Sequence, residues 1–163
     1  MEREVRKRVY VESSVISYLT SRPARDELNR MRQRQTVMWW ERRYEWECVV
    51  SPIVMAEIAR GDREAAARRL KKVQSLVELP SSPEARLLAK LLLSHELVPE
   101  AMETDAAHLA LAATQGTHYL LTWNQRHLDN LHLRSRIEEL IRDRGWRPAK
   151  VITPERLLLE EPT

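Results

Sequence analysis

The chain has 163 residues, of which 43% are apolar and 31% charged, and its net charge is +3. This balance is typical of a folded globular domain and excludes a disordered chain. Three scattered glycines exclude a dinucleotide-binding turn and a phosphate-binding P-loop, and a single cysteine excludes an intrachain disulfide or a cysteine-rich zinc site. No apolar run is long enough to span a membrane, and none follows the charged N-terminus, so we expect a cytoplasmic protein without a signal peptide.

The predicted elements alternate between strands and helices in chain order. The β-rich runs are 8–12, 48–51, 76–79, 119–122 and 151–153. Helical periodicity predicts helices at 15–19, 26–46, 52–61, 63–75, 83–97, 105–114 and 133–144, and a terminal helix opened by Pro154. Strands separated by helices indicate βαβ units. We therefore expect one α/β domain over 1–163, with a mainly parallel sheet covered by helices on both faces.

Four polar side chains are predicted near the carboxyl ends of strands, where ligands bind in open parallel sheets. Glu12 ends the first strand and Asn124 follows the fourth. Glu57 lies in the helix after the second strand, and Asp105 begins the helix that leads into the fourth. Three carboxylates and one carboxamide would form an all-oxygen site, which suits hard cations such as Mg²⁺ or Mn²⁺.

Each of these residues also has a purely structural interpretation. Glu12 can lie at the solvent boundary, Glu57 on the polar face of its helix, Asp105 at a helix N-cap and Asn124 in a turn. The combination of all four, not any one of them, predicts a site. His108 lies one helical turn after Asp105, and we expect it to be a hydrogen-bonded support.

Four segments carry a family resemblance. They are V-Y-V-E-S-S-V-I-S-Y-L from Val9, S-P-I-V-M-A-E-I from Ser51, D-A-A-H-L-A-L-A from Asp105, and L-L-T-W-N-Q-R-H-L from Leu120. Together, in order and spacing, they resemble PIN-domain proteins of the VapC-like group, the toxins of bacterial toxin–antitoxin pairs. The resemblance implies a three-layer α/β/α sandwich and a metal-dependent endoribonuclease that cleaves single-stranded RNA. It also implies a homodimer and a small antitoxin partner.

The resemblance assigns roles position by position. Its three main acidic sites fall on Glu12, Glu57 and Asp105, and its fourth on Asn124, as catalytic residues that bind Mg²⁺ or Mn²⁺. Two hydroxyl positions that line the substrate pocket fall on residues Ser13 and Thr122.

Two positions depart from the family pattern. The first acid of the family is usually Asp, whereas Glu12 carries its charge on a stem one methylene longer. Mg²⁺ demands near-ideal octahedral geometry and should tolerate this change less well than Mn²⁺. His127 stands where many relatives carry an acid, which leaves the pocket less anionic.

Two alternative functions remain open. Because of Glu12, the chain can be a weakened PIN-like fold that serves as an RNA-binding or protein-interaction module, or it can be a dimeric structural subunit. Segment 22–43 holds seven arginines. Trp39 and Trp40 lie near its end, and Tyr44 and Trp46 follow it. Such a segment can bind single-stranded RNA. We favour instead a core or dimer-seam position for Trp39 and at least one other tryptophan.

Overall fold

A five-stranded, all-parallel sheet forms the centre of the computed structural model, which describes residues 5–124 and 131–163. The strands are β1 (Arg8–Val11), β2 (Glu47–Val50), β3 (Val77–Glu78), β4 (Tyr119–Leu121) and β5 (Lys150–Ile152). Their order is β3-β2-β1-β4-β5. The three inner strands are short, apolar and almost wholly buried, as expected for a sheet covered on both faces.

Helices cover the sheet on both faces, which confirms the predicted three-layer α/β/α arrangement. The helices in the described residues are α1 (Ser13–Thr20), α2 (Glu27–Glu41), α3 (Pro52–Ile58), α4 (Arg63–Val73), α5 (Pro83–Ser94), α6 (Glu103–Thr114), α7 (Leu131–Asp143) and α8 (Pro154–Leu157). None of these helices has the length and apolar character needed to cross a membrane.

Several predicted helix boundaries are wrong: the third helix ends at Ile58 and not near Gly61, and the fifth ends at Ser94 and not at residue 97. The second helix ends at Glu41, not near Trp46, because the chain makes a 3₁₀ turn at Arg43–Glu45 and then enters β2. The sixth helix begins at Glu103, after another 3₁₀ turn, so Asp105 lies in its first turn and is not its N-cap. No glycine or proline marks the end of α2, whereas Pro99 immediately precedes the 3₁₀ turn that leads into α6.

The hydrophobic core lies on both faces of the sheet. The larger cluster combines the inner strands with residues of helices that include α1 and α2, and Trp39 and Trp46 are among its largest fully buried side chains. A second cluster joins α5, α6 and α7 around residues such as Leu92 and Ile141. The predicted core position of Trp39 and a second tryptophan is confirmed, since Trp39, Trp40 and Trp46 are 0%, 8% and 1% exposed.

The strand order determines where a site can form. From β1 the chain builds outward through β2 and β3, then crosses to the other side of β1 to form β4 and β5. The direction in which strands are added to the sheet reverses between β1 and β4. In open parallel sheets, ligands bind at the carboxyl ends of the two strands that flank such a reversal. The register pairs Val11 with Leu121, and Glu12 N–H donates to the Leu121 carbonyl at 3.0 Å. Glu12 and Thr122 therefore lie side by side.

Candidate active site

Glu12 lies at the centre of a compact hydrogen-bond network at the end of β1. Its Oε2 accepts from the Ser14 backbone N–H at 3.0 Å, from the Ser14 hydroxyl and from the Thr122 hydroxyl at 2.8 Å. Its Oε1 accepts from the Ser13 hydroxyl at 2.9 Å. Glu12 is thereby the N-cap of α1. Oε2 is fully engaged by three donors, whereas Oε1 keeps a lone pair.

The chain after β4 is tied to the same network. The Trp123 N–H donates to the Ser14 hydroxyl at 3.0 Å, and the Asn124 N–H donates to Thr122 Oγ1 at 2.9 Å. These contacts hold the backbone of Asn124 beside Glu12. The ends of β1 and β4 are therefore joined by side chains as well as by the sheet.

A second network, largely buried, supports Glu57. The Ser51 hydroxyl caps α3 by accepting from Val54 N–H at 3.2 Å, and it lies 2.7 Å from the Tyr10 hydroxyl. The Tyr10 hydroxyl lies 2.6 Å from His108 Nδ1, and His108 Nε2 lies 2.7 Å from Glu57 Oε1. Three elements, β1, α3 and α6, thus meet through one chain of hydrogen bonds.

The proton positions along this chain follow from what each group can donate. An ionised Glu57 only accepts, so His108 Nε2 donates to it. In a neutral imidazole, Nδ1 then accepts from the Tyr10 hydroxyl, and Ser51 donates to the Tyr10 oxygen. Burial raises the pKa of Tyr10 well above its ordinary value, with the negative charges of Glu57 and Glu12 adding to the effect. Tyr10 therefore stays protonated as the donor.

A cavity of about 50 Å³ opens at the carboxyl ends of β1 and β4. Its polar lining comes from residues of both strand ends, α6 and α7, namely Glu12, Asp105, His108, Thr122, Asn124, Arg134 and Glu138. Its wall is otherwise apolar, with Leu120, Ile137 and Val151 among the lining residues. The volume fits an ion with a small number of waters and is too small for a nucleobase.

The structure brings the predicted residues to one place. Glu12, Asp105, Thr122 and Asn124 line the cavity together. Glu57 approaches from α3, and one ligand atom from each of Glu12, Glu57 and His108 lies within 4.8 Å of the others. Ser13 contacts the site through its hydrogen bond to Glu12. His127 lies outside the described residues.

The side chains present fit a divalent cation. Carboxylates from Glu12 and Glu57 lie together, with Asp105 and Asn124 on the same cavity, and such oxygen ligands are those that Mg²⁺ and Mn²⁺ prefer. His108 has the right position for a ligand, but both of its ring nitrogens are engaged by Glu57 and Tyr10. It therefore serves as the predicted support, orienting a carboxylate as partners of metal ligands commonly do.

Five residues of the site were not predicted from the sequence, and the first is Ser14, whose N–H and hydroxyl both donate to Glu12. Tyr10 and Ser51 were assigned only to strands, although a Tyr in a buried strand needs a partner for its hydroxyl, and that requirement is a usable signal. Arg134 and Glu138 lie one turn apart on α7, and Arg134 Nε donates to Glu138 Oε1 at 3.2 Å. Their spacing is typical of an ordinary surface ion pair, so nothing in the sequence indicated that they face the cavity.

Comparison with known proteins identifies the fold. No protein-family model matches the sequence, and no curated protein matches it. Among solved structures, the chain is similar to VapC20 of Mycobacterium tuberculosis, a toxin that cleaves the sarcin-ricin loop. The TM-score is 0.57 at 16% sequence identity, and the match covers 74% of this chain and 93% of that chain. The predicted resemblance to VapC-like PIN-domain proteins is confirmed at the level of the fold.

Proposed function

We propose that this chain is a cytoplasmic, divalent-metal-dependent endoribonuclease that cleaves single-stranded RNA, and that it is the toxin of a toxin–antitoxin pair. The observation that carries the proposal is the convergence of Glu12, Asp105 and Asn124 on one small cavity, with Glu57 beside it. Similarity in fold to a toxin that cleaves an RNA loop supports RNA as the substrate class.

The chemistry requires an activated water and a shielded phosphate. A bound Mg²⁺ or Mn²⁺ would supply both, by lowering the pKa of a bound water and by neutralising charge on the phosphodiester. The residues that would hold the ion are Glu12, through its free Oε1 lone pair, together with Glu57, Asp105 and Asn124.

The remaining residues position these ligands and the substrate. Ser14 and Thr122 fix the Glu12 carboxylate, and His108 fixes that of Glu57. Arg134 on the cavity wall can donate to a phosphate oxygen, since a guanidinium suits that contact. The apolar wall strengthens each of these electrostatic interactions by excluding water.

The decisive experiment compares two Asp→Asn variants. Wild type should cleave a labelled single-stranded RNA with Mn²⁺ or Mg²⁺, and Asp105→Asn should lower the rate by at least about 100-fold, since metal-assisted stabilisation is worth several kcal/mol. Asp143→Asn on the exposed end of α7 is the matched control and should cleave like wild type. Absence of cleavage with either metal, together with no Mn²⁺ binding by calorimetry, would contradict the proposal.

One observation favours the second candidate, a catalytically weakened PIN-like module. Glu12 Oε2 accepts hydrogen bonds from three donors, which leaves that oxygen no lone pair for a metal. Glu12→Asp discriminates between the two functions. A large gain in cleavage rate would identify the natural protein as a weakened nuclease, whereas a loss would show that Glu12 is the working ligand.

The partners form part of the same proposal. A toxin of this fold is expected to form a homodimer and to be held inactive by a small antitoxin. Sedimentation of the purified chain measures the first, and co-expression with a small neighbouring reading frame tests the second, because a cognate antitoxin would suppress RNA cleavage.

A further inference from the structure

A basic surface lies at the sheet edge opposite the carboxylate site. We call it the amino-edge groove and define it by residues Arg6, Arg43, Tyr44, Arg68, Lys71 and Lys72. Arg6 precedes β1, Tyr44 precedes β2, and Lys72 lies at the end of α4, which leads back to β3. Arg6 Nη1 donates to the Tyr44 carbonyl at 2.7 Å, which joins the segments before β1 and β2.

The centre of the groove is a guanidinium held between two aromatic rings. The Arg43 guanidinium carbon lies 4.1 Å from the centroid of the Trp40 ring and 4.2 Å from that of the Tyr44 ring. Arg43 also donates to the Trp40 carbonyl at 2.8 Å and to the Tyr44 hydroxyl at 2.6 Å. Lys72 Nζ lies 5.5 Å from the Trp40 centroid. These contacts position Arg43 and Lys72 before any ligand arrives.

The charge of the groove is not neutralised within the described part of the chain. No carboxylate oxygen there lies within 4.0 Å of the five groove cations, and the one acid on the lining, Glu47, pairs with Arg8 at 2.9 Å. Two surface depressions, of about 480 and 210 Å³, meet at Arg43. The hydroxyl-bearing residues Thr20 and Ser75 also line them.

The exposed ring of Tyr44 narrows the choice of ligand. Tyr44 is 69% exposed, although its inner face is covered by Arg43. A protein surface that binds single-stranded nucleic acid combines cations, which contact the phosphates, with an exposed aromatic ring, on which a base stacks. Duplex RNA offers no unstacked base, and a free phosphate has no use for the ring.

We propose that the amino-edge groove binds the backbone of single-stranded RNA and that one base stacks on Tyr44, at the opposite edge of the sheet from the cleavage site. This inference rests on the proposed function, because it takes RNA as the ligand class. It assigns the protein a second RNA contact that holds the strand outside the small cavity.

The first test measures binding without cleavage. A fluorescein-labelled single-stranded RNA is titrated with protein in EDTA, and anisotropy gives the dissociation constant. Tyr44→Ala should weaken binding about tenfold, the effect of losing one base–aromatic stack. Tyr44→Trp keeps a ring and should restore wild-type affinity. An equal affinity for the Ala variant and wild type would overturn the stacking role.

The second test measures salt dependence. The double variant Lys71→Gln and Lys72→Gln should flatten the slope of log affinity against log salt by about 1.4, because each lost phosphate contact removes about 0.7. The matched control, Arg86→Gln and Lys90→Gln, removes two exposed charges from α5 and should leave the slope unchanged.

The outcomes separate this proposal from the proposed function. If wild type cleaves RNA while the groove variants bind it with wild-type affinity and salt slope, the groove proposal is overturned and the proposed function stands. If the groove variants change the sedimentation of the protein but not its RNA binding, the groove is a protein interface, and the groove proposal is again overturned. If wild type neither binds nor cleaves RNA, both fail together.

Discussion

The two edges of the sheet carry opposite chemistry. At the carboxyl edge, Glu12 and Asp105 line a cavity with Glu57 beside it, and hydroxyls hold Glu12 while an imidazole holds Glu57. At the amino edge, Arg43 and its neighbouring cations surround an exposed tyrosine. The same short strands connect both edges, so one scaffold separates acidic from basic groups by the length of a strand.

The manner in which the two sets are held also differs. Glu57 is held by the distant His108, and Glu12 is held by the distant Thr122 as well as by its neighbours Ser13 and Ser14. Arg43 is fixed by residues within four positions of itself, Trp40 and Tyr44. The carboxyl edge therefore needs long-range contacts in addition to local ones, whereas the centre of the amino edge is assembled from local contacts.

Metal removal should separate the two edges most strongly. In EDTA, cleavage should fall at least about 100-fold, because the metal ion of the proposed mechanism would supply several kcal/mol of transition-state stabilisation. RNA binding at the amino-edge groove should change by less than about twofold, since the groove holds its cations without metal. Gel-based cleavage and anisotropy measure the two effects on one preparation. Cleavage that persisted in EDTA would contradict the assignment of metal-dependent cleavage to the carboxyl edge.

His108→Ala should produce the next largest effect. The substitution leaves a cavity in a 3% exposed position and removes partners from Glu57 and Tyr10, so we expect about 3 kcal/mol less unfolding free energy. Urea denaturation measures it. His95→Ala, at an exposed helix end, is the control and should stay within about 0.5 kcal/mol of wild type. Equal midpoints for both variants would show that the imidazole contributes nothing to stability.

Removing the hydroxyl from each of two tyrosines on adjacent strands should change the free energy of unfolding by different, smaller amounts. Tyr10→Phe leaves Ser51 and His108 Nδ1 without their shared partner and should cost about 1–3 kcal/mol. Tyr119→Phe removes only a 3.4 Å contact with Glu160 and should cost less than about 0.5 kcal/mol. Thermal or urea unfolding of the two variants tests the difference. A larger loss for Tyr119→Phe would reverse the comparison.

The smallest expected effect is a pH dependence at the amino edge. Burial, then the charges of Arg147, Lys7 and Arg8, lower the pKa of His118 from 6.5. The unfolded chain therefore takes up more protons as pH falls below about 6.5, and stability is lost in that range while it is complete above it. His118→Asn, which keeps an acceptor for the Arg8 N–H, should reduce this loss in urea midpoints measured from about pH 7.5 to about pH 5. Identical pH profiles would contradict it.

The sequence was sufficient for the parts of the fold that depend on periodicity. Apolar runs separated by helical patterns predicted the parallel sheet, and the positions of Glu12 and Asn124 just after two strands predicted where they would meet. The direction of a strand determines the edge at which its last residue lies. Convergence at the carboxyl edge therefore follows from topology alone.

The remainder depended on contacts between distant side chains. Nothing local shows that Tyr10 would reach both Ser51 and His108, or that Arg134 of α7 would face the cavity. The end of α2 at Glu41 likewise follows from the burial of Trp46 in the core, a tertiary demand that overrides helical periodicity. Hydrophobic periodicity shows which face of a helix or strand is apolar, but it does not show which residues the polar face will contact.

Glu12 also has a structural role, which affects how an acid at this position is interpreted in related sequences. Its carboxylate caps α1 and receives the hydroxyls of Ser14 and Thr122, so selection for folding alone would retain an acid there. A relative without the proposed nuclease activity could therefore still keep an acid at this position. Asp105 caps no helix, because α6 begins after Met102 without a side-chain cap. For the proposed nuclease, an acid at position 105 is therefore a better marker of retained activity across relatives than an acid at position 12.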